Sequence, residues 1–214
     1  MRELPILFSG AMVRAVLDGR KTQTRRVVKP QPELRGGDDC VVLYGGRSFS
    51  GPRDYLIGEI LPRFGCPYGQ PGDRLWVRET WQGPMWDGDW EDRPEDPHSP
   101  KYCEYAADGG PPPEFMDAED NLRQGWRPSI HMPRWASRIL LEVTGVRVER
   151  LQDISEADCR AEGCAGGHGS IPDYPYSATP REQYRWLWNS LNGPDAWEAN
   201  PWVWVVEFRE DAKC

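Results

Sequence analysis

The sequence predicts an α+β fold: a small, mostly antiparallel β-barrel with flanking helices and long loop insertions. Three observations carry this expectation. Short β-branched or aromatic runs with period-two alternation recur along the chain, and three stretches alone carry helical signals. Long Gly- and Pro-rich segments separate them. With 214 residues the chain is long enough to bury a core without metal or disulfide. It reads as a single domain, 1–214, with insertions at about 30–65, 83–126 and 164–178. No internal repeat is visible.

The first element is a helix over residues 9–18. Ser9 is placed to cap it, Met12, Val13, Val16 and Leu17 recur at helical spacing, and Gly19 suits the left-handed position after the last turn. Residues 26–29 then read as a short strand stopped by Pro30 and Pro32. The next segment predicts short strands around 40–44 and 55–60. Gly72-Asp73 marks a turn before a strand over 74–81, whose Leu75, Val77 and Glu79 share one face. Residues 83–128 are acidic and rich in Pro and Gly, with one strand at 102–106.

Regular structure resumes over 138–151. Ile139, Leu141 and Val143 alternate on one face, and the alternation resumes in a new phase at Val146 and Val148, so Gly145 marks a bulge or bend. Ser155 with Asp158 caps a short helix that ends at Gly163. Thr179-Pro180-Arg181-Glu182 is a capping box with Pro at the first helical position. Tyr184, Leu187, Trp188 and Leu191 form that helix's apolar face, and Asn192-Gly193-Pro194 ends it. The last strand covers 202–209.

The net charge of −8 is unevenly placed. Residues 1–78 carry +5, residues 79–127 carry −9 and residues 128–214 carry −4. An acidic chain is a poor non-specific binder of duplex nucleic acid, whereas a local basic pocket for a nucleotide or short strand stays open. Eleven tryptophans with a low mean hydropathy point to an aromatic core under a polar surface. No stretch approaches membrane-spanning length and Met1-Arg2-Glu3-Leu4-Pro5 is not a signal peptide. Scattered cysteines (Cys40, Cys66, Cys103, Cys159, Cys164 and Cys214) suit reduced thiols, and a cytoplasmic location is expected.

Chemistry concentrates in Gly19-Arg20-Lys21-Thr22-Gln23-Thr24-Arg25-Arg26. A lysine near a threonine is a base–nucleophile candidate, since a hydroxyl needs help to lose its proton. In a straight strand the two would face opposite ways, so direct cooperation needs a turn at Thr22-Gln23. The alternative is that the basic residues only complement a helix C-terminus. Glu79 is expected to be paired with an arginine or to belong to a pocket. Trp76 is a packing residue or a stacking platform, and His131 a structural or substrate-bonding residue. Cys159-x4-Cys164-x3-His168 is loose for a zinc site and has no fourth ligand nearby, so no metal and no cofactor is expected.

The order of elements and these residues together resemble the ASCH domain family, a β-barrel family related to PUA-like RNA-binding folds. The matching pieces are the helix over 9–18, Gly19-Arg20-Lys21-Thr22-x-Thr24-x-Arg26 and Gly72-Asp73-x-Leu75-x-Val77. Leu151-x-x-Ile154-Ser155 with Glu162, and Val205-Val206-Glu207-Phe208, complete them. The longer run Arg74-Leu75-Trp76-Val77-Arg78-Glu79-Thr80-Trp81, together with Arg127-Pro128-Ser129-Ile130-His131-Met132-Pro133-Arg134, is similar to phage and prophage members. The resemblance implies an amidohydrolase that removes the acyl group from an N(4)-acetylcytidine-like nucleoside. Lys21, Thr24 and Glu162 would be catalytic, and Arg26, Glu79, Arg20, His131 and Trp76 would bind substrate. Thr24 would attack the acyl carbonyl or orient a water that does so. The implied partners are a modified cytidine nucleoside or nucleotide and single-stranded RNA or DNA, with no membrane. The alternative reading is a non-catalytic PUA-like module that binds RNA or a modified base.

Overall fold

The computed structural model describes residues 1–85, 94–116 and 121–211. In chain order, β1 (Glu3–Leu7) leads to α1 (Gly10–Leu17), β2 (Gln23–Val27), β3 (Glu33–Gly36), β4 (Asp39–Tyr44) and β5 (Arg47–Pro52). A helical run follows, made of α2 (Arg53–Tyr55), a π turn (Leu56–Ile60) and α3 (Leu61–Gly65). Then come β6 (Arg74–Arg78), β7 (Trp81–Gln82), β8 (Glu104–Tyr105), β9 (Glu114–Met116) and β10 (Leu122–Gln124). The long β11 (Leu140–Arg150), α4 (Glu156–Ala161), α5 (Pro180–Asn192) and β12 (Trp202–Glu210) complete the order. The class is α+β, with mostly antiparallel pairing and few helices. By packing, the chain falls into two compact units: Met1–Asp18, Asp73–Glu142 and Glu210–Cys214 in one, Gly19–Gly72 and Val143–Arg209 in the other. Among the described residues neither unit closes its strands into a barrel.

In the first unit, β1 pairs parallel with β6, and β6 pairs antiparallel with Leu140, Leu141 and Glu142 at the start of β11. The alternation of Leu75 and Val77 buries one face of β6. α1 buries Met12, Val13, Ala15 and Val16, while Leu17 is exposed. The expected strand over 74–81 is interrupted at Glu79, whose backbone N–H turns to the Met132 sulfur at 3.3 Å instead of a ladder partner. The expected strand over 102–106 narrows to β8 because 3₁₀ turns, Pro100–Tyr102 and Ala106–Asp108, flank it. β9 and β10 form a hairpin within the acidic segment, where no strand was expected. The parts of that segment at 86–93 and 117–120 lie outside the described residues, as does Cys214.

In the second unit the strand order is β11-β12-β2. β2 begins at Gln23, three residues before the expected strand, and pairs antiparallel with β12 from Gln23↔Glu207 to Val27↔Val203. Both faces of β12 are buried from Trp202 to Val206, so the strand reads as a continuous apolar run. The segment 30–65 is regular: β3, β4 and β5 form an antiparallel meander. Its end corrects the sequence reading, because residues 55–60 are helical, not a strand. Leu56 and Leu61 are buried, with Ile57 and Ile60 half-buried, and that spacing belongs to a helical face. Both predicted N-caps form, and each is a capping box: Ser155 accepts from Asp158 N at 3.1 Å and Thr179 from Glu182 N at 3.2 Å. Leu151, Ile154, Cys159, Tyr184, Trp188 and Val205 pack in the core below them.

Candidate functional site

The site is built on β2, α4 and the Val143–Arg150 part of β11, within the second unit. Gln23 and Arg25 share one face of β2, and Thr24 and Arg26 the other, as strand alternation requires. Lys21 lies just ahead of the strand, bridged to Glu162, the C-cap residue of α4. Thr22 N donates to Ala161 O at 2.8 Å, which fixes this stretch against the end of α4. The capping box at Ser155 therefore sets where Glu162 lies: it starts the six-residue helix at whose end Glu162 sits.

Lys21 is 2 % exposed and Glu162 is 4 % exposed. The Lys21 ammonium donates to Glu162 Oε2 at 2.8 Å and to the Glu162 carbonyl oxygen at 3.0 Å. The other carboxylate oxygen, Oε1, accepts from Arg25 Nη1 at 3.2 Å. One carboxylate is thus shared by two buried cations. Burial pushes the Lys21 pKa down, Glu162 pulls it back up, and the Arg26 charge lowers it again, with a net lowering.

Arg25 was read in the sequence only as one of the positive charges around Lys21, not as a site residue. It is 2 % exposed, and donates to Glu149 Oε1 at 2.6 and 2.9 Å, with Asp158 Oδ2 at 3.5 Å. Burial opposes its charge, and Glu162 and Glu149 outweigh that and raise its pKa. Gln23 donates to the Asp158 carboxylate and carbonyl, each at 3.0 Å. Arg147 joins from β11, donating to Glu149 at 3.1 Å and Asp158 at 3.1 Å, and it also pairs with Glu207. The one local signal of this cluster is in β11, where Arg147 stands between Val146 and Val148 and Glu149 follows two residues on; Gln23 and Arg25 lie in a polar run.

The turn at Thr22-Gln23 that a direct Lys21–Thr24 contact needs is not formed; the chain runs on from Lys21 into β2 without one. Glu162, the common partner of Lys21 and Arg25, ties Lys21 to the Gln23–Arg25 side. Thr24 is buried and lies directly opposite Val206 of β12, and Arg26 opposite Trp204. Arg26 lines a cleft with Trp204, Tyr44 and Tyr68. Its charge lowers the pKa of both Lys21 and Tyr68.

The other expected residues have different surroundings. Arg20 is exposed, ahead of Lys21 in the second unit. Glu79, Trp76 and His131 belong to the first unit. Glu79 is buried and accepts from Arg138 at 2.9 and 3.1 Å, and Arg138 also reaches Asp108 and lies over the Tyr105 ring at 3.9 Å. Burial raises the Glu79 pKa against the pull of Arg138. Trp76 is half-buried with Arg78 5.5 Å from its ring, and His131 is exposed in a 3₁₀ turn.

Cys159 and Cys164 are both buried in the second unit's core, and His168 is exposed. Among the described residues no group of three or more His, Cys, Asp or Glu is arranged to hold a metal ion. No helix among them is long and apolar enough to cross a membrane. Comparison with family models, curated proteins and solved structures gives no match to this chain.

Proposed function

We propose that this protein is an ASCH-like amidohydrolase that removes an acyl group from the exocyclic amine of a modified cytidine of the N(4)-acetylcytidine type. The observation that carries the reading is the buried Lys21–Glu162 pair, 2.8 Å apart, with its carboxylate shared by Arg25. Buried ion pairs add little net stability, because desolvation offsets their attraction. A lysine held there with a lowered pKa is the kind of group that moves protons at neutral pH. The residue types and order that resemble the ASCH motif supply the substrate class, and the PUA-like barrel belongs to the same proposal.

In this reading the neutral Lys21 amine takes a proton from water as the water oxygen adds to the acyl carbonyl carbon. The tetrahedral intermediate then collapses, and its carbon–nitrogen bond breaks. The proton passes from Lys21, with Glu162 as its hydrogen-bonding partner, to the departing exocyclic amine. Cytidine and a carboxylic acid leave, and Lys21 is again neutral. Arg26, whose charge acts on Lys21, is the cation for the oxygen that gains negative charge. Water is preferred over Thr24 as the attacking group because strand alternation sets Thr24 on the face opposite Gln23 and Arg25.

The test is hydrolysis of a panel of acylated cytidines, followed by absorbance, with Lys21→Arg beside the wild type. Arginine keeps a cation in the pocket and does not act as a base at neutral pH. Loss of turnover with a retained fold supports the reading, and turnover equal to wild type sinks it. An acyl adduct on Thr24, found by mass spectrometry, would replace water with Thr24 as nucleophile. The aromatic and cationic cleft beside Arg26 also favours a second reading, a non-catalytic module that holds a base or short strand. Saturable nucleoside binding without turnover on any acyl group would select it.

A further inference from the structure

The segment 164–178 and the outer face of α5 meet in a groove of the second unit that shares no lining residue with the cleft beside Arg26. Glu182, Arg185, Trp186 and Asn189 fall at helical spacing on one face of α5, away from the buried Tyr184 and Trp188. Ile171 and Tyr174 line the facing side, and the Tyr174 ring meets Tyr176 edge-on at 5.8 Å and 77°. The segment is tied down at both ends. Gly167 and Ala178 exchange backbone hydrogen bonds at 2.8 and 3.2 Å, and Gly166 N donates to Gln183 Oε1 of α5 at 2.8 Å. A Cβ at Gly166 would come 2.6 Å from the Ala178 carbonyl oxygen, so the close approach needs glycine. The groove holds about 240 Å³, below the range of sites for drug-sized ligands, which suits a small headgroup. Trp186, outside the helix's core face, is 39 % exposed there.

Glu182 sets the charge of this groove. Its Oε2 accepts from Thr179 N at 2.7 Å and from Thr179 Oγ1 at 2.9 Å, and among the described residues it has no cation partner. Those two bonds hold its carboxyl below the usual range, so it is ionised at neutral pH. Arg185 also lines the groove, and Glu198 takes its charge at 2.6 Å. A carboxylate beside aromatic faces draws a cation, and the faces favour one that water holds weakly. A lysine ammonium is strongly hydrated, whereas a methylated one spreads its charge over groups that donate no strong hydrogen bonds to water. An anion is opposed by Glu182 and by the net charge of −8. We infer that this groove binds a methylated ammonium group, on a choline-like small molecule or a methylated lysine, between Trp186 and Tyr174 with Glu182 as its counter-charge. The site is independent of the amidohydrolase reading and gives the segment 164–178 a role.

The experiment is titration of the full chain with choline and with its neutral isostere, in which carbon replaces the nitrogen. Calorimetry reads affinity, and the upfield shift of the ligand's methyl protons reads their position over aromatic rings. Choline is expected to bind about tenfold tighter than the isostere, the scale of cation–π attraction at a partly exposed site. Glu182→Gln removes the charge and keeps the capping box, in which glutamine also serves, and most of that preference is expected to go with it. Trp186→Ala is expected to abolish the methyl shift, and Tyr174→Phe to retain it where Tyr174→Ala does not. Circular dichroism shows that each variant is folded. A trimethyllysine peptide that binds tighter than choline, with its unmodified form weaker, identifies a protein partner; a weaker trimethyllysine peptide identifies a small molecule. Equal affinity for choline and the isostere overturns the inference. So does a preference that survives both Glu182→Gln and Trp186→Ala, or no saturable binding of choline or the trimethyllysine peptide up to about 10 mM.

Discussion

At the residue scale the account turns on Lys21 and its single shared carboxylate. Burial and the Arg26 charge lower the lysine pKa, and the charge and hydrogen bond of Glu162 are the largest effects that raise it. Glu162→Gln removes both its charge and its ion pair, so the Lys21 pKa falls further. The alkaline-rising limb of the pH–rate profile should then shift toward acid, and kcat should drop about 10²- to 10⁴-fold, the contribution of a positioned proton-transfer group. KM should change little, and the profile measured from pH 6 to 10 checks both effects. An unmoved inflection would mean that Lys21 is not the titrating base. Lys21 was legible as a candidate because it sits in an unusually polar run at a helix exit, whereas Glu162 entered only through the resemblance to the ASCH family. Arg25 was not legible, because an arginine in a polar run carries no mark of burial. It becomes visible only when β11 and α4 bring Glu149, Asp158 and Glu162 to it.

At the element scale, short caps hold the chemistry in place. Asp158 serves both as the N3 residue of the Ser155 capping box and as a partner of Gln23 and Arg25. Burial works against its charge. Hydrogen bonds from the Ser155 hydroxyl and backbone and from Gln23, together with the Arg25 charge, outweigh that and hold the carboxyl well below the usual carboxylate range. A depressed native pKa stabilises the fold above the unfolded value, about 4 for an aspartate, and the contribution is lost as pH falls toward the native value. Asp158→Asn should therefore flatten the loss of stability between pH 4 and pH 2, checked by urea unfolding across that range. Ser155→Ala should cost about 1 kcal/mol and weaken the seat of Glu162 as well. Gly145 in β11 is a further test, because a Cβ there would come 2.6 Å from Glu207 Oε2, the carboxylate that Arg147 holds. Gly145→Ala should move the Glu207 carboxylate off Arg147 with little change in melting temperature, because only the end of a half-exposed side chain has to shift.

The same scale shows what alternation and capping signals can and cannot reveal. Thr179-Pro180-Arg181-Glu182 and Ser155–Asp158 gave their helices directly, since the signal is local and the hydrogen bonds form within it. The phase change at Gly145 was equally readable in the switch from buried Val143 to buried Val148. Residues 55–60 were misread because a short run with Tyr55, Ile57 and Ile60 satisfies either period, and only the burial of Leu56 and Leu61 decides it.

At the scale of the whole molecule, the chain divides its chemistry between units. The Lys21–Glu162 pair and the aromatic cleft belong to one, while Glu79, its Arg138 partner and His131 belong to the other. Sequence spacing has no access to that division, since both units are assembled from separated stretches of chain. The interior also keeps its thiols out of reach. Burial raises the Cys159 thiol to about 11 and the Cys164 thiol to about 12, so neither forms thiolate at neutral pH. Both should resist iodoacetamide in the native protein and react after unfolding, as peptide mass spectrometry would show.

The most direct measurement is release of cytidine from N(4)-acetylcytidine by wild type, Lys21→Arg and Glu162→Gln, each shown to be folded by circular dichroism. The account predicts turnover by the wild type and its loss, by about 10²-fold or more, in both variants. Turnover that survives in Lys21→Arg, or a wild type without activity on any acylated cytidine, would contradict it.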